Sequence, residues 1–324
     1  MGSHFIKYIL EKYPDYFVVN FDKLTYAGNQ DNLRELENDS RYKFVKGDIC
    51  DIHALENAVK ENSVDVIINY AAETHVDRSI MDPDVFLRTD VLGTFNLLEV
   101  TKKLGLKKMV QISTDEVYGS IEEGSFTEDS PFAPNSPYAA SKAGGDHLCR
   151  SYWVTYQTPV VVTHSCNFYG ANQYPEKLLP LFITNLLEGK KVPVYGDGKN
   201  VREWIYTGDH CAAIDAVLHK AEPGEVYNIG SGDEISNIEI TKIILSEMGL
   251  GEEMIEWVKD RPGHDRRYSI DHSKITKDLG WKPVKNFKDG LKETIVWYRD
   301  NEWWWKKIKN GEYLDYYNKQ YKER

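Results

Sequence analysis

Short β-branched and aromatic runs alternate with amphipathic stretches along the first half of the chain. The runs Tyr16–Asp22, Lys43–Lys46, Asp65–Ala71, Lys108–Ser113 and Pro159–Ser165 predict strands, and the stretches between them predict helices. That alternation predicts a parallel sheet in an α/β fold. Val66-Ile-Ile-Asn-Tyr-Ala-Ala72 is apolar on both faces, as in a strand covered by helices on each side. Ligands of open parallel sheets bind beyond the carboxyl ends of the strands, so the residues that follow these runs are the first candidates for chemistry.

Lys108–Ser113 delivers Thr114, Asp115 and Glu116, and a Pro-rich loop, Ser130–Pro137, then leads into Tyr138-Ala-Ala-Ser-Lys142. A tyrosine and a lysine four apart share one face of a helix. A phenol ionises near pH ~10, and a nearby ammonium favours its phenolate, so Tyr138 is expected to take a hydroxyl proton near neutrality. A sugar hydroxyl that loses its proton can pass hydride to a nicotinamide. The same spacing recurs at Tyr8/Lys12, Tyr42/Lys46 and Tyr195/Lys199, and by itself it equally fits an exposed helix with an extended lysine. The strand and loop before Tyr138 set it apart.

Asp22 closes the first predicted strand, where an acid in a dinucleotide-binding fold accepts hydrogen bonds from the adenosine ribose. A carboxylate there repels a 2′-phosphate, which favours NAD over NADP, although neighbouring Lys23 weakens the discrimination. Asp48, just past the second strand, can bind the adenine amino group or serve as a turn residue. The chain enters the helix Phe5–Lys12 directly after Met1-Gly2-Ser3-His4, with Gly2 readable as the last glycine of a phosphate-binding loop. On that reading the first strand and most of the Gly-rich loop are missing, and NAD is expected to be held poorly. A cloning scar before the helix is the other reading.

Composition narrows the class. At 324 residues, 41% hydrophobic and 28% charged, the chain can build a large α/β unit or two lobes. A net charge of −11 excludes a broad nucleic-acid surface. No apolar run is long enough for a membrane span and no secretory leader is visible, which makes the cytoplasm the expected compartment. Cys50, Cys149, Cys166 and Cys211 form no Cys-x-x-Cys, and the spacing Cys50/His53 fits packing or surface roles better than a metal site, so free thiols and no metal are expected.

Several motifs in order carry a family resemblance. Asp22-Lys-Leu-Thr-Tyr-Ala-Gly-Asn29, Ala71-Ala-Glu-Thr-His-Val-Asp-Arg-Ser-Ile80, Ser113-Thr-Asp-Glu-Val-Tyr-Gly119, Tyr174-Pro-Glu-Lys-Leu178 and Arg261-Pro-Gly-His-Asp-Arg266 resemble the extended short-chain dehydrogenases that act on nucleotide sugars, and within them the dTDP-glucose 4,6-dehydratases. The resemblance runs from Gly2 to about Trp297. It implies a Rossmann-type doubly wound parallel sheet, residues 1–166 plus about 204–230, interleaved with a smaller mixed α/β substrate lobe, residues 167–203 and 231–324.

The resemblance also implies roles. Glu116 would be the base and Asp115 the acid of an elimination, Thr114 and Tyr138 would hold the C4 oxygen, and Lys142 would also hold the nicotinamide ribose. The adjacent acids separate a dehydratase from a 4-epimerase, and both can face one sugar only if the strand has ended by Thr114. NAD would lie along Gly2, Asp22, Lys23, Thr25, Asp48, Ile49, Ala71 and Ala72. The nucleotide sugar, dTDP-glucose, would meet Glu73, Ser113, Asn167, Glu176, Lys177 and Leu178, with Arg202, Asn237 and Arg261 on the diphosphate and His264 and Tyr268 near the nucleoside. His164 and Cys166 stand where the family more often has Arg and Asn. A homodimer through Val91–Leu104 and Ser141–Gln157 is expected. Other nucleotide sugars, a 4-epimerase, and a binding protein without cofactor remain as alternatives.

Overall fold

The apolar runs become parallel strands in the computed structural model, which describes residues 1–321. Residues 322–324, counted above with the second lobe, lie outside the described residues. In chain order the strands are β1 (Val18–Asp22), β2 (Tyr42–Lys46), β3 (Val66–Asn69), β4 (Lys108–Thr114), β5 (Val160–Ser165), β6 (Asn167–Tyr169), β7 (Val192–Tyr195), β8 (Val201–Tyr206), β9 (Val226–Ile229), β10 (Glu234–Ser236) and β11 (Ile255–Val258). One parallel sheet has the order β3-β4-β5-β9, and β1 pairs with β2 in a second. Among the described residues no ladder joins the two. A three-stranded sheet, β10-β8-β6, and the parallel pair β11-β7 stand apart from both.

Strand ends differ from the sequence pattern for local reasons. Tyr16 and Phe17 precede β1: the Tyr16 ring stacks on Tyr13 at 4.7 Å and its hydroxyl meets His219 Nε2 at 2.7 Å, which holds both rings in a turn. β3 stops at Asn69, short of Ala71, because Asn69 Oδ1 accepts the Ala71 N–H at 3.1 Å and turns the chain out of the sheet. Gly2 is already helical, at the start of the helix Gly2–Lys12, so it is not a loop glycine in this structure. That helix buries Phe5, Ile6, Ile9 and Leu10 in the same core as Val110, Ile112 and Val161 of β4 and β5.

The helix Pro137–Tyr156 runs beneath β4. Ser136 Oγ accepts the Ala139 N–H at 3.1 Å and Pro137 occupies the first turn, a start worth ~1 kcal/mol for the cap alone. A β-carbon on Gly145 would lie 2.8 Å from the Asp90 carbonyl oxygen, so this glycine lets the helix pack against the π-helical turn Leu87–Gly93. Gly119 has φ +85°, and a β-carbon there would meet the Ala133 carbonyl oxygen at 2.4 Å. It ends the turn after β4 where no other residue fits.

A second core gathers Leu179, Phe182, Trp204, Leu291, Trp304 and Trp305. Trp304 Nε1 donates to Asn32 Oδ1 at 2.8 Å, and Lys307 pairs with Asp31 at 2.6 Å, which ties the far end of the chain to the segment after β1. The four cysteines are free thiols, three of them buried. No helix among the described residues is long and apolar enough to cross a membrane.

Candidate active site

β4 is buried from Met109 onward and ends at Thr114. Thr114 caps the 3-10 turn Asp115–Tyr118: its Oγ1 accepts the Glu116 N–H at 3.3 Å and donates to Asp115 Oδ1 at 3.2 Å. The turn breaks the strand's side-chain alternation, so Asp115 and Glu116 sit close enough for the charge of Glu116 to raise the Asp115 pKa. Ser113, one residue earlier and still in the strand, faces the other way. Its hydroxyl donates to buried Asp146 Oδ2 at 2.6 Å, which also lies 3.1 Å from His164 Nε2. His164 completes this inner network through the Tyr118 hydroxyl, at 2.6 Å from Nδ1, and Tyr118 donates to Asn228 at 2.9 Å.

Tyr138 is buried against Val76 and Phe86 and forms a hydrogen bond with Thr114. Lys142 shares its helix, but Nζ donates to the Ile112 carbonyl at 2.8 Å. Burial first, then the charges of Glu116 and Asp90, push the Tyr138 phenol well above its ordinary value. One donor of the Lys142 ammonium thus rests on a backbone carbonyl, and the phenol faces carboxylates.

The two acids differ sharply in company. Asp115 is 2% exposed, and its Oδ2 has no hydrogen-bond partner among the described residues. Burial, then the charges of Glu116 and Glu203, drive its pKa well up. Burial also raises Glu116, but Arg261, Arg202 and Lys177 act against that rise. The Tyr268 hydroxyl lies 3.4 Å from Glu116 Oε2 and donates to Asp265 Oδ2 at 2.5 Å.

The cations form a wall facing Glu116. Arg202 is buried, stacks on Tyr268 at 4.2 Å, and spends its terminal nitrogens on the Val201 and Asp265 carbonyls at 2.7 and 2.9 Å. Arg261 lies 4.0 Å from Asp77, and its buried Nε has no partner among the described residues. Lys177 Nζ donates to the Thr74 carbonyl, and burial lowers its pKa. His264 Nδ1 is 2.6 Å from Asp260; burial, then Arg261 and Arg202, hold it down to about 4, so the ring is neutral at physiological pH. Asn237 opens the helix Asn237–Glu247 with a buried, unpartnered Oδ1, Asn167 is half-buried on β6, and Leu178 opens the helix Leu178–Leu187.

The Glu176 side chain is 1% exposed, and its oxygens accept from Tyr26 and from Arg78 Nε, each at 2.9 Å. Glu73 donates its N–H to Asp90 Oδ1 at 3.3 Å; burial, then the Asp90 charge, raise its carboxyl to about 7.

The candidate cofactor residues line the carboxyl ends of β1, β2 and β3. Exposed Asp22 accepts the Leu24 N–H at 2.7 Å, and Lys23 pairs with Asp48 at 2.6 Å, so this lysine is neutralised locally. Thr25 is exposed, and Ala71 and Ala72 are half-buried in the loop after β3. Ile49 packs its side chain in the core and accepts from Asn96 through its carbonyl. An exposed acid at the end of β1 and small residues at the end of β3 fit the adenosine half of NAD.

Arg78, Asp90 and Asp146 escaped the sequence reading. Arg78 lies inside Ala71–Ile80 and carried a signal there; Asp90 and Asp146 are acids among apolar helical positions, a pattern that marks buried carboxylates.

A family model described as GDP-mannose 4,6 dehydratase matches residues 1–294. The chain is 50% identical to the low-salt glycan biosynthesis protein Agl12 of Haloferax volcanii, over 92% of this chain and 95% of that protein. It is 51% identical to a dTDP-glucose 4,6-dehydratase of Streptomyces niveus, over 90% and 87%. Its fold superposes on the crystal structure of the dTDP-glucose 4,6-dehydratase DesIV of Streptomyces venezuelae, solved with NAD and dTDP bound, with a TM-score of 0.93 at 50% identity, covering 95% and 96% of the two chains. The chain belongs to the GDP-mannose 4,6 dehydratase family.

Proposed function

We infer that this protein is an NAD-dependent lyase that converts dTDP-glucose to dTDP-4-keto-6-deoxy-glucose. The observation that carries the reading is the pair of buried Asp115 and half-buried Glu116, side by side at the end of β4 in a chain half identical to dTDP-glucose 4,6-dehydratases. An epimerase returns hydride to C4 and has no use for two such acids.

Bound NAD supplies the acceptor for the C4 hydride and its later donor to C6. Thr114 and Tyr138 hold the C4 hydroxyl, and Tyr138 takes its proton as the carbonyl forms. That carbonyl acidifies the C5 proton, which Glu116 removes. Asp115, kept protonated by burial, gives a proton to the departing 6-hydroxyl, so one water leaves across C5 and C6. Hydride return to C6 and a proton to C5 complete the sugar. Burial and the charges of Glu116 and Asp90 keep the Tyr138 phenol protonated on its own, so its role as base requires that the proton first pass to solvent, which the positive charge of a bound oxidised nicotinamide would favour. Lys177, Arg202 and Arg261 suit the diphosphate, with His264 and Tyr268 toward the thymidine.

Residues 1–166 with 204–230 serve as the cofactor lobe in this reading, and the remainder as the substrate lobe. Exposed Leu92 and Phe95 in the stretch Val91–Leu104, with Val154 and Tyr156 on the helix Pro137–Tyr156, support a homodimer formed through these two segments. The deciding experiment incubates purified protein with NAD and dTDP-glucose and weighs the product. Loss of one water without net reduced cofactor is expected; a product of unchanged mass would sink the dehydratase in favour of an epimerase.

A further inference from the structure

Four segments distant in sequence meet at Arg78. Its guanidinium lies between the rings of Tyr26 and Tyr316, 3.8 and 4.3 Å from their centroids, and its Nε donates to Glu176 at 2.9 Å. Tyr26 belongs to the segment after Asp22 and donates to the other oxygen of Glu176. Tyr316, on the helix Glu312–Tyr321, places its hydroxyl 3.0 Å from His75 Nε2. The next hydroxyl along the same helix face, Tyr313, donates to the Pro175 carbonyl at 3.0 Å. Lys177, adjacent to Glu176, reaches back to the Thr74 carbonyl, adjacent to His75.

Each participant borders a ligand surface without facing it. Tyr26 continues the segment proposed to hold the adenosine ribose, His75 and Arg78 continue the loop Ala71–Glu73, and Glu176 fixes the backbone that aims Lys177 at Glu116. A planar guanidinium clamped between two rings and bonded to a buried carboxylate is stiff, since each contact restricts the same plane. Displacing any one member loosens the others.

We propose that Arg78, clamped by Tyr316 and joined to Glu176, is a positioning residue that couples the cofactor loop to the cationic wall for the sugar diphosphate. The inference rests on the function proposed above. Its consequence is reciprocal: a nucleotide diphosphate on the wall slows NAD release, and NAD tightens the nucleotide, by the same factor in affinity. The helix Glu312–Tyr321, beyond the span of the family model, acts as the keystone.

The test compares Tyr316→Leu, Arg78→Lys and Tyr316→Phe with the unsubstituted enzyme. Tyr316→Phe keeps the ring over Arg78 and serves as the conservative control. Binding of dTDP and of NAD is measured by calorimetry, each with and without the other, alongside kcat and KM for dTDP-glucose. In the unsubstituted enzyme each ligand should tighten the other by ~5-fold or more. Tyr316→Leu and Arg78→Lys should abolish that mutual effect and raise KM by about tenfold, with kcat per NAD-loaded site within about twofold. Tyr316→Phe should retain the coupling. A merely structural role would lower the fraction of active protein and leave coupling and KM unchanged in the folded remainder, and that result overturns the proposal. Coupling absent from the unsubstituted enzyme overturns it too. Failure of the unsubstituted enzyme to dehydrate dTDP-glucose would count against the proposed function instead, because the binding measurements judge the coupling without turnover.

Discussion

Two pairs of acids sit at carboxyl ends of parallel strands in this molecule, and they live in opposite conditions. Asp22 and Asp48 close β1 and follow β2 in contact with water; Lys23 and the Cys50 N–H hold the Asp48 carboxyl below its usual range against a burial effect that raises it. Asp115 and Glu116 follow β4 under cover, and burial raises both. Carboxylates at equivalent places in the topology therefore suit binding hydroxyls at one edge and, in the proposed function, moving protons at the other. Solvent contact sets the division, and the chain controls it by what it stacks over each strand end.

The comparison breaks most visibly at Asp115. Asp115→Asn keeps the shape but removes the transferable proton, and kcat for dehydration should fall by ~10²–10⁴-fold. Oxidation at C4 is still possible, so reduced nicotinamide should accumulate in a stopped-flow absorbance trace. Turnover within about tenfold of the unsubstituted enzyme would remove Asp115 from the chemistry.

A middle-sized effect is expected at Glu73, between the two edges. Its carboxyl ionises at about 7 in the fold against 4.5 ordinarily, through burial and then the Asp90 charge. The folded state thus holds this proton more tightly than the unfolded chain. The contribution is fully present below pH 4.5 and is lost as pH rises through about 7. Glu73→Gln should flatten that part of the profile and raise the melting temperature above about pH 7 relative to the unsubstituted protein. Thermal melts across the range check it, and parallel profiles would contradict it.

The smallest effect belongs to the exposed edge. Lys23 pairs with Asp48, but its side chain is 59% exposed. Lys23→Met should change unfolding free energy by no more than ~1 kcal/mol, read from the denaturant midpoint. A larger loss would mean that this edge is as tightly organised as the buried one.

The sequence displays the exposed edge and the catalytic turn more openly than the wall. Asp22, Thr114 and Tyr138 are visible because they stand at ends of strong periodic runs, where position along the chain nearly determines position in space. The partners of Ser113 are less legible: its hydroxyl bonds to Asp146, 33 residues away. Those of Glu176 and Lys142 are equally hidden, since they include Tyr26, 150 residues distant, and the Ile112 carbonyl. The separate pairing of β1–β2 and β3-β4-β5-β9 is invisible in composition, because a run of β-branched residues does not name its neighbour.

The bond from Trp304 to Asn32 spans 272 residues. A ribosome delivers Asn32 long before Trp304, and domains generally fold from the N-terminus as they emerge. The segment after β1 therefore acquires this support only after Trp304 has been made. Loop closure over such a distance is slow, which delays the edge proposed for the adenosine relative to the strands behind it. A nascent chain halted before Trp304 would carry its catalytic turn while still lacking a finished seat for the nucleotide.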